Sequence, residues 1–310
     1  MKKLLLFVSA LMLISCGQGS GVDEYVEMGA ASQLPAPLER SSQSKAKNIV
    51  LFIGDGMGPN QVALAKLSTG GPSHRLSFEN FPITGIVYNH SAKSIYTDSA
   101  AAATTWATGV QTTNGYLSVD PDKKLLPTIT ELLSTKGYLS GLVATSSITH
   151  ATPAAFYAHI KSRYKEKAIA KMLLESDVSI ALGGGSEFFD LTSVNESLHV
   201  VLDKESLNSK ILTSHERVLG LFAEDGLDRR LAPPTQLEMT KIALSFLEKK
   251  SDDCTGFFLM SEGSQIDWGG HDNNVKYMLA EFTDFDQSVQ AATDFALKHK
   301  DTLVLVTADH

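Results

Sequence analysis

Short, uninterrupted apolar runs alternate along this chain with longer segments whose apolar residues recur every three or four positions. The runs are NIVLFI around residues 49–53, LSGLVATS at 139–146, VSIALGG at 178–184, GFFLMS at 256–261 and TLVLVTA at 302–308. Continuous apolar runs of this length predict strands buried on both faces. Between them, residues 127–136, 235–250 (after a proline pair) and 281–300 carry the helical period. A further helix is expected to begin near Ser99, where the stretch YTDSAAAATTWATG places four alanines after Thr97, Asp98 and Ser99. Alanine is the strongest helix former and leaves the serine unobstructed at a helix N-terminus. Strands alternating with helices imply an α/β fold, a largely parallel central sheet flanked by helices on both faces. Residues 186–232 are polar and weakly patterned, and no chemistry is assigned to them.

The first forty-six residues follow a different pattern. Residues 1–16 pair two lysines with a short apolar stretch and end at Cys16, which predicts an export signal of the lipoprotein type with Cys16 as the lipid-bearing residue. An ordinary cleaved signal is the alternative. Either reading predicts an exported chain, periplasmic or anchored at the outer membrane of a bacterium. Residues 17–46, rich in Gly, Ser, Pro and Ala, read as a flexible tether, which leaves 47–310 as the folded domain. Cys254 is then the remaining thiol, so stability is expected to come from the core and not from a disulfide.

Composition adds constraints to that pattern. At 310 residues with 43% hydrophobic content, the chain suits one sizeable core, or at most two. A formal net charge of -8 with no dense basic cluster argues against a nucleic-acid partner. Any site for phosphate would need local positive charge from metal ions or a few well-placed cations.

Three apolar runs end in residues that can do chemistry. NIVLFI leads into GDGMG with Asp55, GFFLMS into EGSQIDWGGH with Glu262, and TLVLVTA into Asp309 and His310. Ligands in open α/β sheets bind beyond the carboxyl ends of the strands, so these residues are expected on one edge. Alone, GDGMG reads equally well as a tight turn with a solvated acid. Asp267 and His271 are four apart, a spacing that puts an oxygen and an imidazole on one helical face as zinc accepts; a surface acid with a capping histidine is the alternative. The segment THATPAAFYAHIKSR adds Thr152, whose hydroxyl suits a magnesium-type shell, and Arg163, whose planar fork matches two phosphate oxygens. His159 in the same segment reads as a packed or solvated residue. Ser99 needs activation, and no G-x-S-x-G elbow supplies it. A zinc held by Asp55, Asp309 and His310 would do so, whereas an isolated Ser99 would be a plain helix cap.

Together, IGDGMG, TDSAAAATTWATGVQTTNG, THATPAAFYAHIKSR, ALGGG, SEGSQIDWGGH and VTADH, in this order over 47–310, resemble the metal-dependent alkaline phosphatases. The resemblance implies hydrolysis of phosphate monoesters through a phosphoserine on Ser99, with two zinc ions and one magnesium. It implies that Arg163, oriented by Asp98, grips phosphate and that Asp55 bridges magnesium and a zinc. Thr152 and Glu262 would complete the magnesium shell, Asp309 and His310 the zinc beside Ser99, and Asp267 and His271 would hold the second zinc. His150 and Trp268, neighbours of the metal shell, stand where the best-known bacterial pattern has Asp and Lys. The family also uses a further histidine downstream of the VTADH strand, so the natural protein is expected to continue past His310 and to form a homodimer when complete. Substrates are expected to be small phosphate monoesters, with inorganic phosphate as product. The alternatives are a phosphodiesterase of the same superfamily and a lipoprotein that binds phosphate or metal without turnover.

Overall fold

A computed structural model describes residues 45–194, 197–207, 216–251 and 255–310. Cys16, Cys254, the signal segment and nearly all of the tether lie outside the described residues. The strands are β1 (Asn48–Gly54), β2 (Leu139–Ser147), β3 (Ile180–Gly184), β4 (Leu198–Val201), β5 (Arg217–Leu221), β6 (Phe257–Gly263) and β7 (Thr302–Ala308). They form one sheet in the order β4-β5-β3-β2-β6-β1-β7, and every pairing is parallel. The helices are α1 (Pro59–Gly70), α2 (Ser99–Thr108), α3 (Ile129–Ser134), α4 (Ala151–Ala154), α5 (Glu166–Glu175), α6 (Gln236–Lys250), α7 (Gln265–His271) and α8 (Val275–Lys298).

Alternation along β1 shows why its sequence is apolar throughout. Val50 and Phe52 enter one core with Met239, Phe246, Phe282 and Phe285 of α6 and α8, whereas Leu51 and Ile53 enter a second with Ala100, Ala103, Phe156 and Ile169. A strand that feeds two cores cannot show a polar face. Each fully buried Phe or Ile contributes about 1.5–3 kcal/mol of transfer free energy, so the two cores hold the strand ends in place from both sides.

All five strands expected from the apolar runs are present, but β7, expected to be buried on both faces, stands at an end of the described sheet with Leu303 and Leu305 exposed. The weakly patterned segment 186–232 contributes β4 and β5 at one end of the sheet. Their signal is weak because β4 is only partly buried and β5 is five residues long. No described helix is long and apolar enough to cross a membrane.

Candidate active site

Four neighbouring strands that run to one end of the sheet, β2-β6-β1-β7, deliver the site. Parallel register pairs Ile53 of β1 with Glu262 of β6, and Gly54 with both Gly263 and Ala308. The residues just past these pairs therefore emerge side by side: Asp55 after β1, Asp309 and His310 after β7, with Glu262 still on β6. Asp55 extends the ladder by one bond, its N–H donating to the Gly263 carbonyl at 3.3 Å. Gly56, at φ +59°, then turns the chain, and a Cβ there would stand 2.5 Å from Asp267 Oδ1. Glycine thus lets Asp267, on the short helix α7, close over the strand ends.

Asp55, Glu262 and Asp309 are essentially inaccessible to solvent. One oxygen of each, Asp55 Oδ2, Glu262 Oε1 and Asp309 Oδ2, has no hydrogen-bond partner among the described residues, and neither does the buried hydroxyl of Thr152. The other oxygens are committed: Asp309 Oδ1 accepts from the Gly56 N–H at 3.1 Å and the His310 N–H at 2.8 Å, and Glu262 Oε2 accepts from Ser264 Oγ at 2.6 Å. Burial, and then the neighbouring charges of Asp309, Glu262 and Asp267, push the Asp55 carboxyl far above its ordinary range. Burial likewise raises Glu262 to about 8, against the hydroxyl of Ser264 that pulls it down. Asp309 is raised by burial and only partly relieved by His310. Buried carboxylates left without partners are costly, and a cation removes that cost by pairing with the free oxygens. The donor set of carboxylates, an imidazole and a hydroxyl fits divalent metal ions.

One ligand atom each from Asp55, Asp267 and His310 falls within 4.8 Å of the others. His310 Nε2 lies 3.1 Å from Asp55 Oδ1 and 3.8 Å from Asp309 Oδ2. The sequence placed Asp267 with His271 on a separate ion, and these two side chains are neighbours as well. Asp267 sits in the first turn of α7, over Gly56, whereas His271 lies a turn further on, its side chain 77% exposed and its Nε2 3.3 Å from Asp267 Oδ2.

Ser99 opens α2 and is buried, its hydroxyl 3.5 Å from Asp55 Oδ1, long for a hydroxyl bond. Asp98 is the N-cap: Oδ1 accepts from the Ala101 N–H at 3.0 Å, while Oδ2 accepts from the Gly115 N–H at 3.0 Å and from Arg163 Nη1 at 3.3 Å. The residue before the serine therefore anchors the helix and the arginine together. The Arg163 N–H also donates to the Gly115 carbonyl at 2.9 Å. Arg163 Nη2 donates to His150 Nε2 at 3.0 Å. An arginine is always the donor, so Nε2 is the acceptor and His150 is neutral, consistent with burial and the Arg163 charge pushing it down to about 3. Trp268 meets the His150 ring edge-on at 5.9 Å, which brings both expected neighbours of the metal shell together. His159, set aside from the sequence, is tied to Ser118 O and Glu131, each at 2.8 Å.

Sequence reasoning overlooked the residues that support this shell. Ser264 holds Glu262, and Gln265 Nε2 donates to the Leu227 carbonyl at 2.8 Å, tying α7 to the loop after β5. Both follow directly on the SEG segment, and that adjacency was the available signal.

The sequence profile described as alkaline phosphatase matches residues 46–199 and 187–310. Alkaline phosphatase 3 of Bacillus subtilis (strain 168) is 38% identical over 295 residues, covering 88% of this chain, which spans 62% of that relative's length. The solved alkaline phosphatase of the Antarctic bacterium TAB5 superposes with a TM-score of 0.78 at 34% identity, over 86% of this chain and 79% of that one. A histidine-to-aspartate mutant of the same enzyme, solved with magnesium in its M3 site, has a TM-score of 0.75 at 34% identity, over 86% and 78% of the two chains. On these matches and the all-parallel sheet, the chain belongs to the alkaline phosphatase family.

Proposed function

We propose that the chain hydrolyses phosphate monoesters with Ser99 as nucleophile. The observation that carries this reading is the placement of the Ser99 hydroxyl beside Asp55, within a group of buried carboxylates whose free oxygens lack partners. Asp55, Asp267, Asp309, His310, Glu262 and Thr152 would hold divalent cations, with His271 beside Asp267; two zinc ions and one magnesium is the set we infer. Such cations, when bound, supply the positive charge that lowers the proton affinity of a hydroxyl and steadies charge on attacking and departing oxygens.

The chain's own residues account for the rest. Ser99 Oγ attacks phosphorus in line, the Oγ–P bond forms as the ester P–O bond breaks, and the alcohol departs. Water then cleaves the phosphoserine, returning the serine and releasing inorganic phosphate. Arg163, held by Asp98 and His150, presents two parallel N–H groups to the non-bridging oxygens. The N-terminus of α2 favours an anion at Ser99. Export, a lipid tether at Cys16 and pairing of two copies belong to the same proposal and rest on residues 1–46 and on the family.

Release of nitrophenol from an aryl phosphate, with zinc and magnesium supplied, tests the reading. Ser99→Ala is expected to lower kcat by about 10^3-fold or more. An unchanged rate in that variant rejects the nucleophile.

A further inference from the structure

Arg163 is followed three residues later by Glu166, the first residue of α5. Two hydroxyls from a distant part of the chain converge on one oxygen of its carboxylate. Ser147 Oγ donates to Glu166 Oε2 at 2.9 Å and Thr149 Oγ1 donates to the same oxygen at 2.7 Å. Ser147 ends β2, Thr149 immediately precedes His150, and both are fully buried. The residue between them is pinned as well: the Ile148 N–H donates to Gly184 O at 3.0 Å, and Tyr157 Oη donates to the Ile148 carbonyl at 2.8 Å.

The two segments therefore meet twice. One meeting is Arg163 Nη2 against His150 Nε2, at 3.0 Å. The other is Glu166 against the two hydroxyls that bracket Ile148. The first contact alone is a single hydrogen bond between a long, flexible side chain and a ring. The second fixes the backbone on either side of it, so that the guanidinium meets His150 and Asp98 in one arrangement. A fork that must match two phosphate oxygens tolerates little displacement, because misplacement by an ångström is enough to lose the paired geometry.

We propose that Glu166 is a positioning residue for phosphate binding: its carboxylate ties the Arg163 segment to residues 147–150 and thereby sets where the guanidinium meets phosphate. The proposal rests on the phosphatase reading above. It concerns a residue that touches neither substrate nor metal, so its effect must pass through Arg163.

The test is a double-mutant cycle on the 310-residue chain with zinc and magnesium supplied, using calorimetric titration with inorganic phosphate beside aryl phosphate kinetics. Glu166→Ala is expected to weaken phosphate binding and raise KM by about 10-fold each, with kcat changed much less. Glu166→Gln, which keeps an oxygen acceptor for both hydroxyls, should recover most of the loss. In an Arg163→Ala background the same Glu166→Ala change should cost less than about 2-fold, since the group it acts through is gone. An equal loss in both backgrounds, or wild-type phosphate affinity in Glu166→Ala, overturns the proposal while leaving the phosphatase reading intact. A wild-type chain that neither binds phosphate nor releases alcohol instead defeats the phosphatase reading, and Glu166 with it. Should Glu166→Ala fail to fold by circular dichroism, Ser147→Ala and Thr149→Val each remove one donor and enter the same cycle. Additivity with Arg163→Ala there also overturns the proposal.

Discussion

Asp98 carries three loads on two oxygens: the start of α2, the Gly115 turn and the Arg163 guanidinium. Replacing it with alanine removes an N-cap worth about 0.5–2 kcal/mol and frees the arginine at once. Asp98→Ala is therefore expected to lower Tm by several degrees and to hold inorganic phosphate less tightly, as thermal melts and phosphate titration would show. Gly56 is the second sensitive position. At φ +59°, with Asp267 Oδ1 2.5 Å from where a Cβ would stand, Gly56→Ala forces both a left-handed alanine and a displaced ligand. Strain of about 1–3 kcal/mol is expected, with zinc affinity reduced by about 10-fold or more in a competition titration. Asp55, Glu262, Asp309 and His310 were legible because each lies where an apolar strand run turns polar, a place where carboxylates need a reason to be. Glu166 and Gln265 were harder to read, because the groups they meet, Ser147 and Thr149 for the one and the Leu227 carbonyl for the other, come from other parts of the chain.

α2 shows how an element's composition serves its end. Ala100, Ala101, Ala103 and Ala107 are almost wholly buried, and small side chains let the helix lie close to α4 and to the strand ends below Ser99. Ala103→Leu adds bulk where nothing can yield. A loss of about 1–3 kcal/mol is expected, and because the helix would shift as a body, kcat should fall beyond what the unfolded fraction explains. The loop after β5 behaves similarly over α7. A Cβ on Gly226 would stand 2.5 Å from the Trp268 ring, so this loop seats the tryptophan that packs on His150. The strands on either side of the site were recognisable from their unbroken apolar runs. β4 and β5 escaped because they are only four and five residues long, and partial burial further blurs the pattern of β4 at the end of the sheet. α8 begins at Val275, ahead of the expected 281, where Asn274 caps it by accepting from the Tyr277 N–H at 3.2 Å. α4 is a single short helix whose start the sequence did not mark, although it carries Thr152.

For the molecule as a whole, a net charge of -8 and a knot of buried acids make stability depend on pH and on cations together. In the unfolded chain these carboxyls lose their protons near pH 4, whereas in the folded, metal-free chain burial holds the Glu262 proton to about 8 and raises Asp55 well above its ordinary value. Between those limits the folded state binds more protons, so raising the pH favours unfolding. Without metal, Tm should therefore fall by about 5 °C or more from pH 5 to pH 8, and zinc with magnesium should restore more at pH 8 than at pH 6. A metal-free Tm that is flat across that range would show that the acids do not share a buried site. The central claim is that these side chains turn one buried hydroxyl into the group that captures phosphorus. The direct test is rapid acid quenching of the metal-supplied chain during turnover of an aryl phosphate, followed by peptide mass spectrometry. A phosphoryl group on Ser99, absent from Ser99→Ala, is the expected result; turnover with the phosphoryl on another residue, or on none, would contradict it.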